Sequence, residues 1–277
     1  LVQSFLRATS ILPRLHPDLC NDLLEITTAG ETLRYLERNN LFTHCLDEAR
    51  AWYRYHPLFQ EFLQARLQVD EGASHILGLR RRASAILESR GFFEEAFEQY
   101  SRAQEWEDAD RLLAELGGRL LEMGRLQMLS HLLEELPPSI VEHSAGLLLL
   151  QGRQREIQGR WGEARARFAG ARELFAARED TGGMLQALAG LALTHVRQGQ
   201  YSRAMEICAE ALALASPDDL RWRAEVLRLL AGCFLETDDL DRGAQHMEEA
   251  LEAFRILGDR RAEARVLHNL GYSVRFV

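Results

Sequence analysis

Lysine is absent from this chain of 277 residues; all 33 of its basic residues are arginine. That excludes every mechanism built on a lysine: a phosphate-loop lysine, a Schiff base, a lysine general base. Proline is scarce, at six residues, so long helices can run uninterrupted. The four cysteines, Cys20, Cys45, Cys208 and Cys233, include no C-x-x-C spacing and read as buried, reduced thiols. No apolar run nears the ~18 residues needed to span a bilayer, and no signal peptide is seen. Leu147 to Leu150, the longest run, belongs to an amphipathic helix. A cytoplasmic protein without membrane contact is therefore expected. No G-x-S-x-G, H-E-x-x-H or G-x-x-x-x-G-K-[ST] motif occurs. The nine histidines stand singly, none three or four residues from another, so no helical metal pair exists. These residues are expected to hold no catalytic site, metal or cofactor.

What is present favours helix. Leu, Ala, Glu, Arg and Gln dominate, Val and Ile are sparse, and 47% of residues are hydrophobic. The net charge of −9 argues against a nucleic-acid binder. A short motif recurs between amphipathic patterns: Gly159-Arg160-Trp161-Gly162-Glu163-Ala164, then Gly199-Gln200-Tyr201-Ser202-Arg203-Ala204. Gly91 to Ala96 carries it earlier, and Asp238 to Gly243 carries a worn copy. With Gly124, these turn positions lie 33, 35, 40 and 39 residues apart. Periods of this size mark stacked helix pairs, the tetratricopeptide unit being ~34 residues. Each unit has a small residue seven before the elbow: Ser84, Gly117, Gly152, Ala192 and Ala231. Ala96, Ala164, Ala204 and Gly243 answer from the second helix. Two helices crossing closely need such residues at their contact. The elbow aromatics Phe93, Trp161 and Tyr201 are expected to fill the space beneath each turn. The unit at Gly124 departs from the pattern, with Leu129 and Leu136 at the alanine positions and Pro137-Pro138 at its end. It reads as a junction.

The first seventy residues differ. Helical patterns run from Phe5-Leu6 to Ile11-Leu12, from Pro17, and from Thr32 to Arg38, with Thr28-Ala29-Gly30 as a break. The period then becomes two: Leu41 to Leu46 and Trp52 to Tyr55 are strand candidates around a polar turn at Asp47 to Arg50. Pro57 opens another helix, with Phe59, Phe62, Leu63 and Leu67 at helical spacing. Helices, a hairpin and a closing helix resemble a winged helix. The seven arginines and nine acidic residues of 1–70 leave no basic face for DNA. The expected fold class is all-α: a winged-helix unit with a short β-hairpin, then a tetratricopeptide-like right-handed α-superhelix. The expected segments are 1–70 as the winged helix, 71–144 as connecting repeats with a net charge of −6, and 145–277 as the sensor repeats.

Three runs resemble a known family: Phe5 to Leu12, Leu33 to Phe42, and Trp52-Tyr53-Arg54-Tyr55-His56-Pro57-Leu58-Phe59-Gln60-Glu61-Phe62-Leu63. They look like the segment after the ATPase module in MalT-like, LuxR-type large bacterial transcriptional activators, which are signal-transducing ATPases of the STAND class. The resemblance implies an ATP-binding module before these residues and a helix-turn-helix after them. It also implies self-association of the longer protein. The chain opens on Leu1 and begins and ends on helical pattern, so a piece of a longer protein is expected.

In stacked repeats the first helices line a concave groove. Projecting each unit inward brings Leu149, Arg153 and Glu156 together with Gln186, Ala189, Leu193 and Arg197. Glu225, Arg228 and Gly232 follow, then Arg265, His268, Asn269 and Tyr272. Polar residues from four helices would there bind a small-molecule inducer or a regulatory protein or peptide. Trp161 is expected in the core, and Trp222 is a freer aromatic. Trp52, Tyr53, Arg54 and Tyr55 are the expected relay surface to the ATPase. The alternative is a protein-binding scaffold with no small-molecule inducer.

Overall fold

The computed structural model describes residues 2–216 and 218–274, with side chains as far as His268. Among the described residues there are fifteen helices and one two-stranded sheet, an all-α fold with a hairpin, as the composition predicts. The winged-helix arrangement comprises α1 (Val2–Thr9), α2 (Pro17–Leu24), α3 (Ala29–Arg38), β1 (Thr43–Cys45), β2 (Tyr53–Tyr55) and the start of α4 (Pro57–Ser89). Pro17 begins α2, where its missing N–H costs nothing, and the His16 ring accepts from the Asp18 N–H. The break expected at Thr28-Ala29-Gly30 is instead the first turn of α3. Asn21 Oδ1 accepts the Ala29 N–H at 3.0 Å, so the new helix starts capped.

The hairpin pairs Thr43 with Tyr55, His44 with Arg54 and Cys45 with Tyr53. It is shorter than the predicted Leu41 to Leu46 because Asn40 and Phe42 have positive φ, which ends extended backbone. Asp47 Oδ1 closes the turn by accepting the N–H groups of Ala51 and Trp52. Leu15 pairs with Tyr53 from the other side through two backbone bonds of 2.7 and 2.8 Å. In α4, Leu63 and Leu67 are buried, but Phe62 is 57% exposed. Helix α4 is broken at Gly72, whose φ of 75° and ψ of 160° are open essentially to glycine alone.

Four pairs of consecutive helices pack together: the end of α4 with α5 (Phe93–Ala103), α9 (Ala145–Ile157) with α10 (Trp161–Ala177), α11 (Thr181–Arg197) with α12 (Tyr201–Leu214), and α13 (Leu220–Glu236) with α14 (Leu240–Ile256). Between the first and second of these pairs the chain forms α6 (Trp106–Glu122) and α7 (Leu126–Glu134). The short α8 (Pro138–His143) precedes α9, and α15 (Arg260–Val274) follows α14. All five projected turn positions, Gly91, Gly124, Gly159, Gly199 and Asp238, have left-handed backbone. The projected small residues are buried too, from Ser84 and Ala96 to Ala204, Ala231 and Gly243. The chain forms two compact units, 1–116 with 130–136, and 117–129 with 137–277.

In the second unit, a Cβ on Gly152 would meet the Phe168 ring at 2.6 Å, and one on Gly190 would meet it at 2.7 Å. The ring of α10 is thus held between glycines of α9 and α11. Gly243 lies against Leu235 and the Ala231 carbonyl. These close approaches let apolar side chains of α9 to α13 share one core, and those of α13 to α15 a second. Trp161 is not in it: it is half-buried, like Phe93 and Tyr201. An elbow residue is the first of its helix, so neighbours cover only part of it.

Candidate functional site

The first helices of the second unit present their inner faces to a groove of about 560 Å³. Helices α9, α11, α13 and α15 contribute Arg153 and Glu156, Gln186 and Arg197, Glu225 and Arg228, and Arg265. The repeat spacing explains why: each pair of residues is three or more positions apart on one helix face, and stacking aligns the faces. Ala189 and Leu193 form part of the apolar floor, and half-buried Trp222 lines the groove while packing on the core below. Seven of the projected polar residues, Arg153, Glu156, Gln186, Arg197, Glu225, Arg228 and Arg265, therefore share one cavity. His268 is exposed and does not line it. The side chains of Asn269 and Tyr272 lie outside the described residues. Leu149 belongs to the core, only 8% exposed, because its face of α9 turns toward α10 and α11.

Sequence reasoning missed Arg221, Asp259 and the α6 residues Gly118, Leu121 and Glu122. Arg221 was within reach of the method, since 221, 225 and 228 fall on one helical face. The α6 residues come from the irregular unit, where the repeat offers no reference position.

The electrostatics of the groove are uneven. Arg228 grips Glu225 with two bonds, Nη2 to Oε1 at 2.6 Å and Nε to Oε2 at 3.2 Å, and Arg265 stands 3.8 Å from the same carboxylate. Burial works against the Glu225 charge, but the Arg228 bonds and nearby arginines outweigh it and hold the carboxyl below its usual range. Arg153 has a neutral partner instead: its Nη2 donates to Gln186 Oε1 at 3.0 Å. Burial lowers the Arg153 guanidinium and raises the Glu156 carboxyl, which accepts no hydrogen bond among the described residues. The Arg197 guanidinium lies 6.0 Å from the Trp161 ring centre, so this elbow aromatic borders the groove by way of an arginine. Such a lining can bind, and among the described residues it brings charged and amide groups together rather than a nucleophile with a base. Among the described residues, no group of three or more His, Cys, Asp and Glu could hold a metal ion.

The four residues projected as a relay surface are split by strand alternation. Tyr53 and Tyr55 point into the core, 1% and 2% exposed, whereas Arg54 faces solvent. Tyr55 shares a 2.7 Å hydrogen bond with Thr9, and burial pushes its phenol up. Trp52 is half-buried in a cluster of its own. The Arg14 guanidinium lies over the Trp52 ring at 4.5 Å and the Phe92 ring at 5.2 Å, and it pairs with Glu95 at 2.6 Å. This ties the hairpin to the elbow that opens α5.

The fold is that of a winged helix followed by tetratricopeptide-like helical repeats. Residues 1–75 match the model of the MalT winged helix domain. Among curated proteins, the serine/threonine-protein kinase PknK of Mycobacterium tuberculosis is 30% identical over 149 residues, 53% of this chain and 13% of the kinase. The HTH-type transcriptional regulator MalT of Klebsiella pneumoniae is 30% identical over 154 residues, 54% of this chain and 16% of the regulator. The matched region thus spans about one-seventh of these relatives' length. Among solved structures, a Signal Transduction ATPase with Numerous Domains from Pyrococcus horikoshii, which has a tetratricopeptide repeat sensor, aligns with 99% of this chain and 47% of its own. Its TM-score is 0.51 at 13% identity, a likeness of fold. Among the described residues no helix is long and apolar enough to cross a membrane.

Proposed function

We propose that this chain is the sensor and relay region of a signal-responsive transcriptional regulator. An inducer or partner occupies the groove of the second unit. The winged helix passes that state to an ATP-binding module outside these residues, freeing it to self-associate in the cytoplasm. Residues 1–70 would relay, 71–144 connect and 145–277 sense. DNA contact would fall to a LuxR-type helix-turn-helix elsewhere in the longer protein, because 1–70 carries no excess of arginine. The observation that carries this reading is the groove itself: polar residues from four alternate helices, α9, α11, α13 and α15, converge in a cavity sized for a small ligand. The MalT-type match of residues 1–75 supports the relay half. Occupancy can shift the regulator only if the ligand binds its two states unequally.

A second reading is a protein-binding scaffold without an inducer. The tetratricopeptide-like stack supports it, and the kinase relative supplies a context in which such a region would serve a catalytic domain elsewhere. Thermal-shift screening against sugars, amino acids and organic acids separates the two. At 100-fold excess over Kd, a groove ligand adds about 2.7 kcal/mol, which raises the melting temperature by roughly 5–10 °C. If no compound shifts the melt while affinity capture returns a stable protein partner, the inducer reading fails and the scaffold reading stands.

A further inference from the structure

The charges lining the groove do not cancel pairwise. Arg228 and Arg265 share one carboxylate, Glu225. Asp259 is committed to its own helix, accepting the Ala262 N–H at the start of α15. Arg153, Arg197 and Arg221 have no carboxylate within 4.0 Å among the described residues, and the hydrogen bond of Arg153 goes to the amide oxygen of Gln186, with Glu156 attracting it only at longer range. On the other side stand Glu122, which is exposed, and Glu156, which is half-buried and without a hydrogen-bond donor among the described residues. A chain with a net charge of −9 thus gathers an arginine-rich hollow in which one carboxylate, Glu156, has arginine charges nearby but accepts no hydrogen bond among the described residues.

From this arrangement we infer that the groove takes a small organic anion, a carboxylate or phosphomonoester, that carries its own hydroxyl or ammonium donor. The inference rests on the reading of this groove as the ligand site. Arg153 receives the anionic group. Its planar fork suits both carboxylate and phosphate, and its own partial burial strengthens such a pairing. Arg197 and Arg221 reach the same group from the rim. Glu156, one helical turn beyond Arg153 on α9, accepts the donor. Trp222 supplies an apolar wall for the ligand's carbon skeleton. The burial that depresses the Arg153 guanidinium and raises the Glu156 carboxyl is relieved on both sides by such a ligand. A neutral sugar would relieve neither guanidinium charge.

The test is isothermal titration of the whole chain with four probes: D-glucose 6-phosphate, L-malate, sulfate and D-glucose. Glucose 6-phosphate and malate are expected to bind, and raising the salt to about 1 M to weaken them. Sulfate, which lacks a donor, is expected to bind less tightly, and glucose not at all. Arg153→Gln, whose melting temperature should stay close to the parent's, is expected to weaken both organic anions at least ~10-fold. Glu156→Gln is expected to weaken glucose 6-phosphate but leave sulfate unchanged. Equal affinity for glucose and its phosphate, or an unchanged affinity in a folded Arg153→Gln, overturns the anion assignment and leaves the groove reading intact. Failure of every anionic probe at about 10 mM also overturns it. If a peptide or protein then proves to bind the groove, that removes the small-molecule reading with it.

Discussion

Phe168 shows what single residues do here. Its ring meets glycine on two neighbouring helices, Gly152 and Gly190, at distances that leave no room for a methyl group. Gly152→Ala should therefore destabilise the chain by ~1–3 kcal/mol, because an aromatic ring bounded on two sides cannot rotate away. Helix propensity alone predicts the reverse, a gain of up to ~1 kcal/mol. Gly232, also mid-helix, has nothing within 4 Å of a built Cβ, so Gly232→Ala should keep that gain. Urea denaturation of the two variants compares the effects directly, and equal shifts would refute the packing argument. The same residue-level view changes what to expect of Arg228. Its side chain is 16% exposed and bonded twice to Glu225, so truncation would strand a half-buried carboxylate and lower stability as well as binding. Arg153, whose partner is an amide, is the cleaner probe of the groove.

At the scale of elements, α4 is one helix in name and two in conformation. Gly72 adopts φ 75° and ψ 160°, a region that costs a residue with a Cβ about 1–3 kcal/mol. No neighbour lies within 4 Å of a Cβ built there, so the cost would be purely backbone strain. Gly72→Ala should lose that amount in urea denaturation, and a neutral result would mean that the break straightens freely. This break was not legible beforehand. Gly72 and Gly78 sit in a polar stretch, and a lone glycine says nothing about its φ. The elbows were legible because they repeat: a left-handed turn residue, followed by an alanine that must sit between helices, recurs at a fixed spacing. The groove followed from the same spacing, since stacking carries one helix face after another to the concave side. Where the repeat falters, so did the projection. Residues of α6 reach the groove without a motif to announce them, and Leu149 turned inward because α9 carries four consecutive leucines, Leu147 to Leu150, which favour no single face. The hairpin's strand alternation was readable in period but not in consequence, so Tyr53 and Tyr55 are core residues and the exposed part of that run is Arg54.

For the whole molecule, the absence of lysine has a measurable consequence at alkaline pH. In most proteins, lysine ion pairs weaken near pH 10.4, the ordinary lysine pKa. Here every cation of a side-chain ion pair is arginine or histidine, and arginine stays charged past pH 12. Alkaline sensitivity should then come chiefly from buried acids. Burial pushes the thiols of Cys20 and Cys208 up to about 12 and that of Cys233 to about 11, from an ordinary value of 9.0. The Tyr100 phenol rises to about 12 through burial and its bond to Glu88. Each of these groups holds its proton more tightly folded than unfolded. The stability it contributes is complete below the unfolded value and is lost as pH rises through the folded one. Under reducing conditions, unfolding free energy should be nearly level from pH 7 to 8.5, then fall by up to ~1.4 kcal/mol per pH unit for each titrating thiol. Replacing Cys20 and Cys208 with alanine should flatten that fall even though each substitution lowers stability at pH 7. A variant whose alkaline slope matches the parent's would assign the loss to other groups.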